Sequence, residues 1–184
     1  MKKYVFETER LRARTFGAGD ARRLYEIHRD GEVEKWIPNE RYEDVAEARQ
    51  AIGFFAGRTS HNELPYVLAV ELKENGELLG DAGINEVEGK AGEAEIGFVI
   101  CRERRGKGYA TELVKAMTGF AASAFHINTL YGRVMKGNGA SVRVLEKSGY
   151  RFVTEETGAE DDPYGNGMLV YVKESPDAAK AEKT

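Results

Sequence analysis

The run Arg104-Arg105-Gly106-Lys107-Gly108-Tyr109-Ala110 sets two glycines one residue apart among three cations, and the residues after it turn helical. Glycine lacks the Cβ that would keep an anion off the main chain, and a helix start presents unpaired N–H groups with a partial positive charge. The chemistry this combination suits is phosphate binding, with Arg104, Arg105 and Lys107 adding charge for the oxygens. A solvated basic loop has the same composition, so the glycine spacing alone leaves both readings open. Two familiar phosphate fingerprints fit poorly: a dinucleotide motif wants a third glycine where Thr111 stands, and no segment reads G-x-x-x-x-G-K-[ST].

Other reactive side chains are scattered. The single cysteine, Cys101, excludes an internal disulfide and a multi-cysteine metal site, and no histidine or acid is set beside it by a recognisable motif. His28, His61 and His126 are far apart and match no common metal spacing, so no metal is expected. The chain has 184 residues, 41% of them hydrophobic and 32% charged, which suits one globular domain with a real core. A net charge of −4 argues against broad nucleic-acid binding. No apolar run is long enough for a membrane span and the start lacks a signal-peptide core, so a cytoplasmic protein is expected.

The elements that must position these residues follow from periodicity. Glu9 to Thr15 reads as a strand, and Asp20 as the N-cap of a helix with Ala21, Leu24, Tyr25 and His28 on one face. His28 is then expected to pack at a helix edge. A second helix is expected from about Tyr42 to Arg58, with Trp36, Ile37 and Pro38 in the connection. Strands over 65–72, 77–87 and 92–100 form an antiparallel meander, with Asn75-Gly76 at one turn. A long helix is expected from Lys107 to about Phe125, then a strand over 129–135 and a short helix from Asn138 to Ser148 closed by Gly149. Two final strands, with Tyr150 and Phe152 as core residues, complete a mixed α/β (α+β) domain over residues 1–173. Residues 174–184 read as a charged tail.

Arg105 to Ala110 also matches the [RQ]-x-x-G-x-[GA] motif of the GNAT superfamily of N-acetyltransferases residue for residue. AEIGFVICRERRGKGYATELVKAM and NGASVRVLEKSGYRF resemble the RimJ/RimL type, the ribosomal-protein N-terminal acetyltransferases and their relatives; the likeness is strongest from Ala94 to Phe152. The resemblance implies the GNAT fold, acetyl-CoA as co-substrate and an amine acceptor. It also implies a pyrophosphate held by the amides of Arg105, Gly106, Lys107, Gly108, Tyr109 and Ala110, and a pantetheine arm beside Phe98, Val99 and Ile100. Acceptor specificity in the family comes largely from the first helices and variable loops, which points to Trp36 and the loop His61 to Leu64. Monomers and homodimers both fit the family.

Acetyl transfer from a thioester needs a neutral amine, a donor for the developing oxyanion and a way to stabilise the departing thiolate. An amine with a pKa of about 8 to 10.4 is mostly protonated at neutral pH, so a carboxylate base is sensible. Glu95 shares a strand face with Gly97 and Val99, and in the family a glutamate at this place is often near the acceptor. A structural polar residue would sit there equally well, and Glu93 is a weaker stand-in. The oxyanion donor should be an N–H near Val99 or Ile100. The RimJ/RimL pattern N-x-x-S, here Asn138 to Ser141, implies that Ser141 donates to the thiolate and Asn138 contacts CoA; helix capping explains both residues as well. Two other classes stay in view: a CoA-binding protein without turnover, and a hydrolase using Cys101. The acceptor itself, whether protein N-terminus, polyamine, antibiotic or metabolite, is not written in these motifs.

Overall fold

The computed structural model describes residues 3–174; the charged segment from Ser175 onward lies outside the described residues, and Glu174 ends the last strand. The strands are β1 (Tyr4–Glu7), β2 (Leu11–Arg14), β3 (Tyr66–Leu72), β4 (Leu78–Glu86), β5 (Glu93–Ile100), β6 (Thr129–Met135), β7 (Arg151–Glu156) and β8 (Met168–Glu174). They form one sheet in the order β1-β2-β3-β4-β5-β6-β8-β7. Every neighbouring pair is antiparallel except β5 with β6. The helices are α1 (Ala21–His28), α2 (Gly31–Trp36), α3 (Val45–Ser60), α4 (Tyr109–Phe125) and α5 (Gly139–Lys147).

Helices cover both faces of the sheet. Leu24 of α1 and Ile52 of α3 gather with Ala69 and Leu78 in one cluster, whereas Leu113, Met117 and Ala121 of α4 join Leu68, Val70 and Ile84 in the other. Successive residues Leu68, Ala69 and Val70 thus face alternate clusters, which is why β3 reads as an unbroken apolar run. The expected meander and the α/β class are observed. Among the described residues no helix is long and apolar enough to cross a membrane.

Several expectations are corrected. Asp20 stands where α1 begins, yet its side chain caps nothing there: it binds the buried Arg14 guanidinium at 2.7 Å, and Arg14 also meets Glu71 at 2.6 Å. A buried guanidinium demands paired acceptors, and that need outweighs a cap. The second helix starts at Val45 because the Asp44 carboxylate accepts from the Glu47 amide at 2.8 Å. Trp36 belongs to the short helix α2, capped by Asp30, and Pro38 opens a 3-10 turn, Pro38–Glu40, rather than lying in a plain connection. The long helix begins at Tyr109, not Lys107, because Gly106 and Gly108 adopt φ of +76° and +82°. Tyr150 is buried and bonds Thr118, but Phe152, 52% exposed, lies open like every other residue of the edge strand β7, with its ring 5.7 Å from that of Tyr171. The strand β1 has no counterpart in the sequence expectations.

Candidate active site

The single parallel pair creates the site. The β5–β6 ladder holds only three register pairs, Glu93↔Thr129, Ala94↔Leu130 and Glu95↔Tyr131, although β5 continues to Ile100 and β6 to Met135. Beyond Glu95 the two strands part, and two cavities meet in the gap. Cys101 N–H donates to Leu79 O of β4, so by strand alternation the Val99 amide faces β4 while those of Phe98 and Ile100 face the opening. On the β4 side the contact is tight: a Cβ on Gly80 would lie 1.9 Å from the Val99 carbonyl oxygen, so only glycine fits.

The larger cavity, about 350 Å³, runs from Phe98, Val99 and Ile100 to Gly106, Gly108, Tyr109 and Ala110. Among the described residues the amides of Gly106 to Thr111 donate to no other group, and the first turn bond of α4 is Glu112 N–H to Gly108 O at 3.1 Å. Six unpaired donors at the positive end of a 17-residue helix suit an anion. The loop is held from outside by Arg10, which the sequence reading did not single out. Arg10 donates to Lys107 O at 2.9 Å and stacks over the Tyr109 ring at 4.4 Å, and Glu112 takes its Nε at 2.7 Å.

Of the three expected cations, Arg104 and Arg105 line the larger cavity, Arg104 paired with Glu77 and Arg105 donating to Ile100 O at 2.9 Å and 3.6 Å from Asp30, whereas Lys107 lines neither cavity. Arg143 and Lys147, one turn apart on α5, also line the larger cavity, without an ion pair among the described residues. Their i, i+4 spacing was legible, but only the packing of α5 beside α4 turns that face toward the glycine loop.

The smaller cavity, about 150 Å³, is lined by Trp36 to Glu40, Asn85, Glu95, Arg133 and Asp161 among others. Trp36, Ile37, Phe98, Val99, Asn138 and Ser141 line both, so the cavities adjoin. Trp36 packs over Gly137, whose φ of +100° strains any other residue there. The loop His61 to Leu64 lines neither cavity.

Glu95 sits between Asn85 of β4 and Tyr131 of β6. Burial pushes its carboxyl up to about 7; Arg133 pulls it back, and Asp161, Glu156 and Glu40 raise it further. Arg133 is itself bound by Glu156 at 2.8 Å and by Asp161 at 3.0 Å. Glu93 accepts from the Tyr131 hydroxyl at 2.8 Å and lines neither cavity. Asn138 caps α5, its Oδ1 accepting from the Ser141 backbone amide at 3.2 Å. Burial pushes the Cys101 thiol up, which keeps it protonated. His28, Glu40 and Asp81 bring ligand atoms within 4.8 Å of one another, but both His28 ring nitrogens already have partners.

Residues 10–151 match the acetyltransferase (GNAT) domain family. The chain is 28% identical over 144 residues to the uncharacterized N-acetyltransferase p20 of Bacillus licheniformis, covering 78% of this chain and 80% of that one. It is 27% identical over 147 residues to the uncharacterized N-acetyltransferase YoaA of Bacillus subtilis, covering 80% and 82%. Its fold is similar to a GNAT-family acetyltransferase from Bacillus anthracis (TM-score 0.79, 22% identity, 95% and 98% of the two chains). It is also similar to the ribosomal-protein-S5-alanine acetyltransferase of Vibrio fischeri (TM-score 0.80, 17% identity, 96% and 98%). With the family matched from β2 through β6, over the glycine loop and α5, the chain belongs to the GNAT acetyltransferases.

Proposed function

We propose that this protein transfers the acetyl group of acetyl-CoA to the N-terminal α-amine of a peptide or protein. The observation that carries the reading is that two unlike cavities adjoin at the opening between β5 and β6. The unpaired amides from Gly106 to Thr111 suit a pyrophosphate, and Arg143 and Lys147 supply free charge on the facing helix. Cavity-lining segments from Glu32 to Met168 serve one site, which supports a single domain.

In this reading Glu95 takes a proton from the ammonium at the mouth of the small cavity. A base with a pKa of about 7 lies about one unit below an α-amine and about three below a lysine-type amine. The proton transfer then costs about 1.4 kcal/mol for the former and about 4 kcal/mol for the latter. The match favours α-amines, and a cavity of about 150 Å³ favours a small first residue. The amine nitrogen bonds to the acetyl carbon as the C–S bond breaks. An amide facing the opening, that of Phe98 or Ile100, receives the oxyanion, because the Val99 amide is turned to β4. Ser141 donates to the departing sulfur, and the nitrogen's second proton neutralises the thiolate.

Incubation with acetyl-CoA and candidate amines, followed by thiol release and product mass, tests this. Peptides with a free N-terminal alanine or serine are expected to gain one acetyl group. Acetylation confined to polyamines, amino acids or aminoglycosides would replace the α-amine reading with a small-amine one. Thiol release without any acceptor would favour hydrolysis, and CoA binding without transfer would favour a binding protein.

A further inference from the structure

We infer that His28 is a positioning residue that clamps the acceptor wall, Trp36 to Glu40, to the sheet beside Val99; the inference rests on the small cavity being the acceptor side. His28 ends α1 and is 2% exposed. Its Nδ1 lies 2.9 Å from the Glu40 carbonyl oxygen and its Nε2 lies 2.8 Å from Asp81 Oδ2. A carbonyl oxygen only accepts, so Nδ1 carries a hydrogen, and a further proton must sit between Nε2 and the carboxylate for the second bond to exist. Burial opposes charge on the ring, but Asp81 and then Glu40 raise the His28 pKa overall, which favours holding that proton. The Tyr42 ring, 5.2 Å away, packs against the imidazole.

The two ends of this bridge differ. Asp81 is the register partner of Val99, next to the Gly80 contact that leaves no slack between β4 and β5. Glu40 closes the 3-10 turn of the wall, whose own bonds run back only to α2 and within the turn: Ile37 N–H to Val33 O and Glu40 N–H to Ile37 O. Among the described residues, the hydrogen bond from His28 is the one that joins the wall segment 36–40 to any element beyond α2. Trp36 packs on Gly137 and Ile37 on the core, while the bond from His28, its ring oriented by Asp81, ties the Glu40 end of the turn to α1; it touches nothing in the glycine loop.

Two substitutions separate the halves of the bridge. An asparagine amide nitrogen reaches about as far as Nδ1 and a glutamine amide about as far as Nε2, so His28→Asn keeps the Glu40 bond and His28→Gln keeps only the Asp81 contact. With a short peptide bearing a free N-terminal alanine, His28→Gln is expected to raise the acceptor KM about tenfold, with the acetyl-CoA KM unmoved. His28→Asn is expected to stay within about twofold of the parent. Amide exchange at Asn39 to Arg41 should quicken in His28→Gln and not in His28→Asn. Equal effects of the two variants, an acetyl-CoA KM that moves with the acceptor KM, or unchanged exchange would overturn the clamp. Should His28→Gln fail to fold, His28→Ser, too short to reach the Glu40 carbonyl, is expected to raise the acceptor KM in the same way, and an unaltered KM there would count against the inference. A parent protein that acetylates no amine would sink the proposed function, and with it the acceptor role of the wall; the exchange comparison would still decide whether the clamp exists.

Discussion

Along the larger cavity, Gly106 to Thr111 present consecutive amides from one loop, whereas the smaller cavity takes Glu40, Asn85, Glu95, Arg133 and Asp161 from separate segments. The first works through local backbone geometry: two residues at positive φ turn the chain so that a helix opens with its donors free. The second works through tertiary convergence, and its charge state is a property of the assembled group rather than of any one residue. A loop of the first kind is expected to fail all at once when its backbone is blocked. A pocket of the second kind should respond residue by residue.

The sharpest break should come at Gly108. Gly108→Trp places a β-carbon at φ +82° and an indole over the free amides, so acetyl-CoA affinity should fall by more than about 100-fold, as read by calorimetry. Unchanged affinity would remove the cradle from the mechanism. On the acceptor side, Glu95→Gln should lower kcat/KM about 100-fold while acetyl-CoA affinity holds. Because the Glu95 carboxyl sits at about 7, the parent's kcat/KM should fall about tenfold per unit on the acid side of that value and level off above it. In the variant that limb should move to the pKa of the substrate amine, about 8 for an α-amine; a limb that stays at about 7 would assign the base elsewhere.

Ser141 lies where the cavities join, and the structure separates its two possible roles. The Asn138 cap accepts from the Ser141 backbone amide, which Ser141→Ala retains. The substitution should therefore leave helix stability unchanged and reduce kcat about tenfold with little change in CoA affinity. An unaltered kcat would leave only the capping position. The smallest effect is expected on the donor rim: Arg143→Ala or Lys147→Ala should each weaken acetyl-CoA binding by about three- to tenfold, less at high salt. If neither does, the free cations facing the loop are bystanders.

Legibility followed the same division. The meander, α4, α5 and the glycine loop were all readable, because alternation, helical period and turn glycines are local signals. β1 and α2 escaped: four and six residues carry too little pattern, and tertiary contacts hold them. Arg10 and Glu112 were missed because no motif links residues 102 positions apart. Phe152 misled because alternation on an edge strand does not reveal whether anything covers it.

By itself the sequence determined the donor chemistry only through the match of Arg105 to Ala110 to the GNAT motif, since two glycines between cations at a helix start leave N–H groups free but suit a solvated loop equally. Only the tertiary structure decided the acceptor side. It parted β5 from β6 after Glu95, turned the Phe98 and Ile100 amides into the gap, and set a ring of acids and Arg133 around Glu95. The physical reason is that burial and charge proximity, which hold that carboxyl near 7, are sums over residues distant in the chain and have no signature in any one stretch of it.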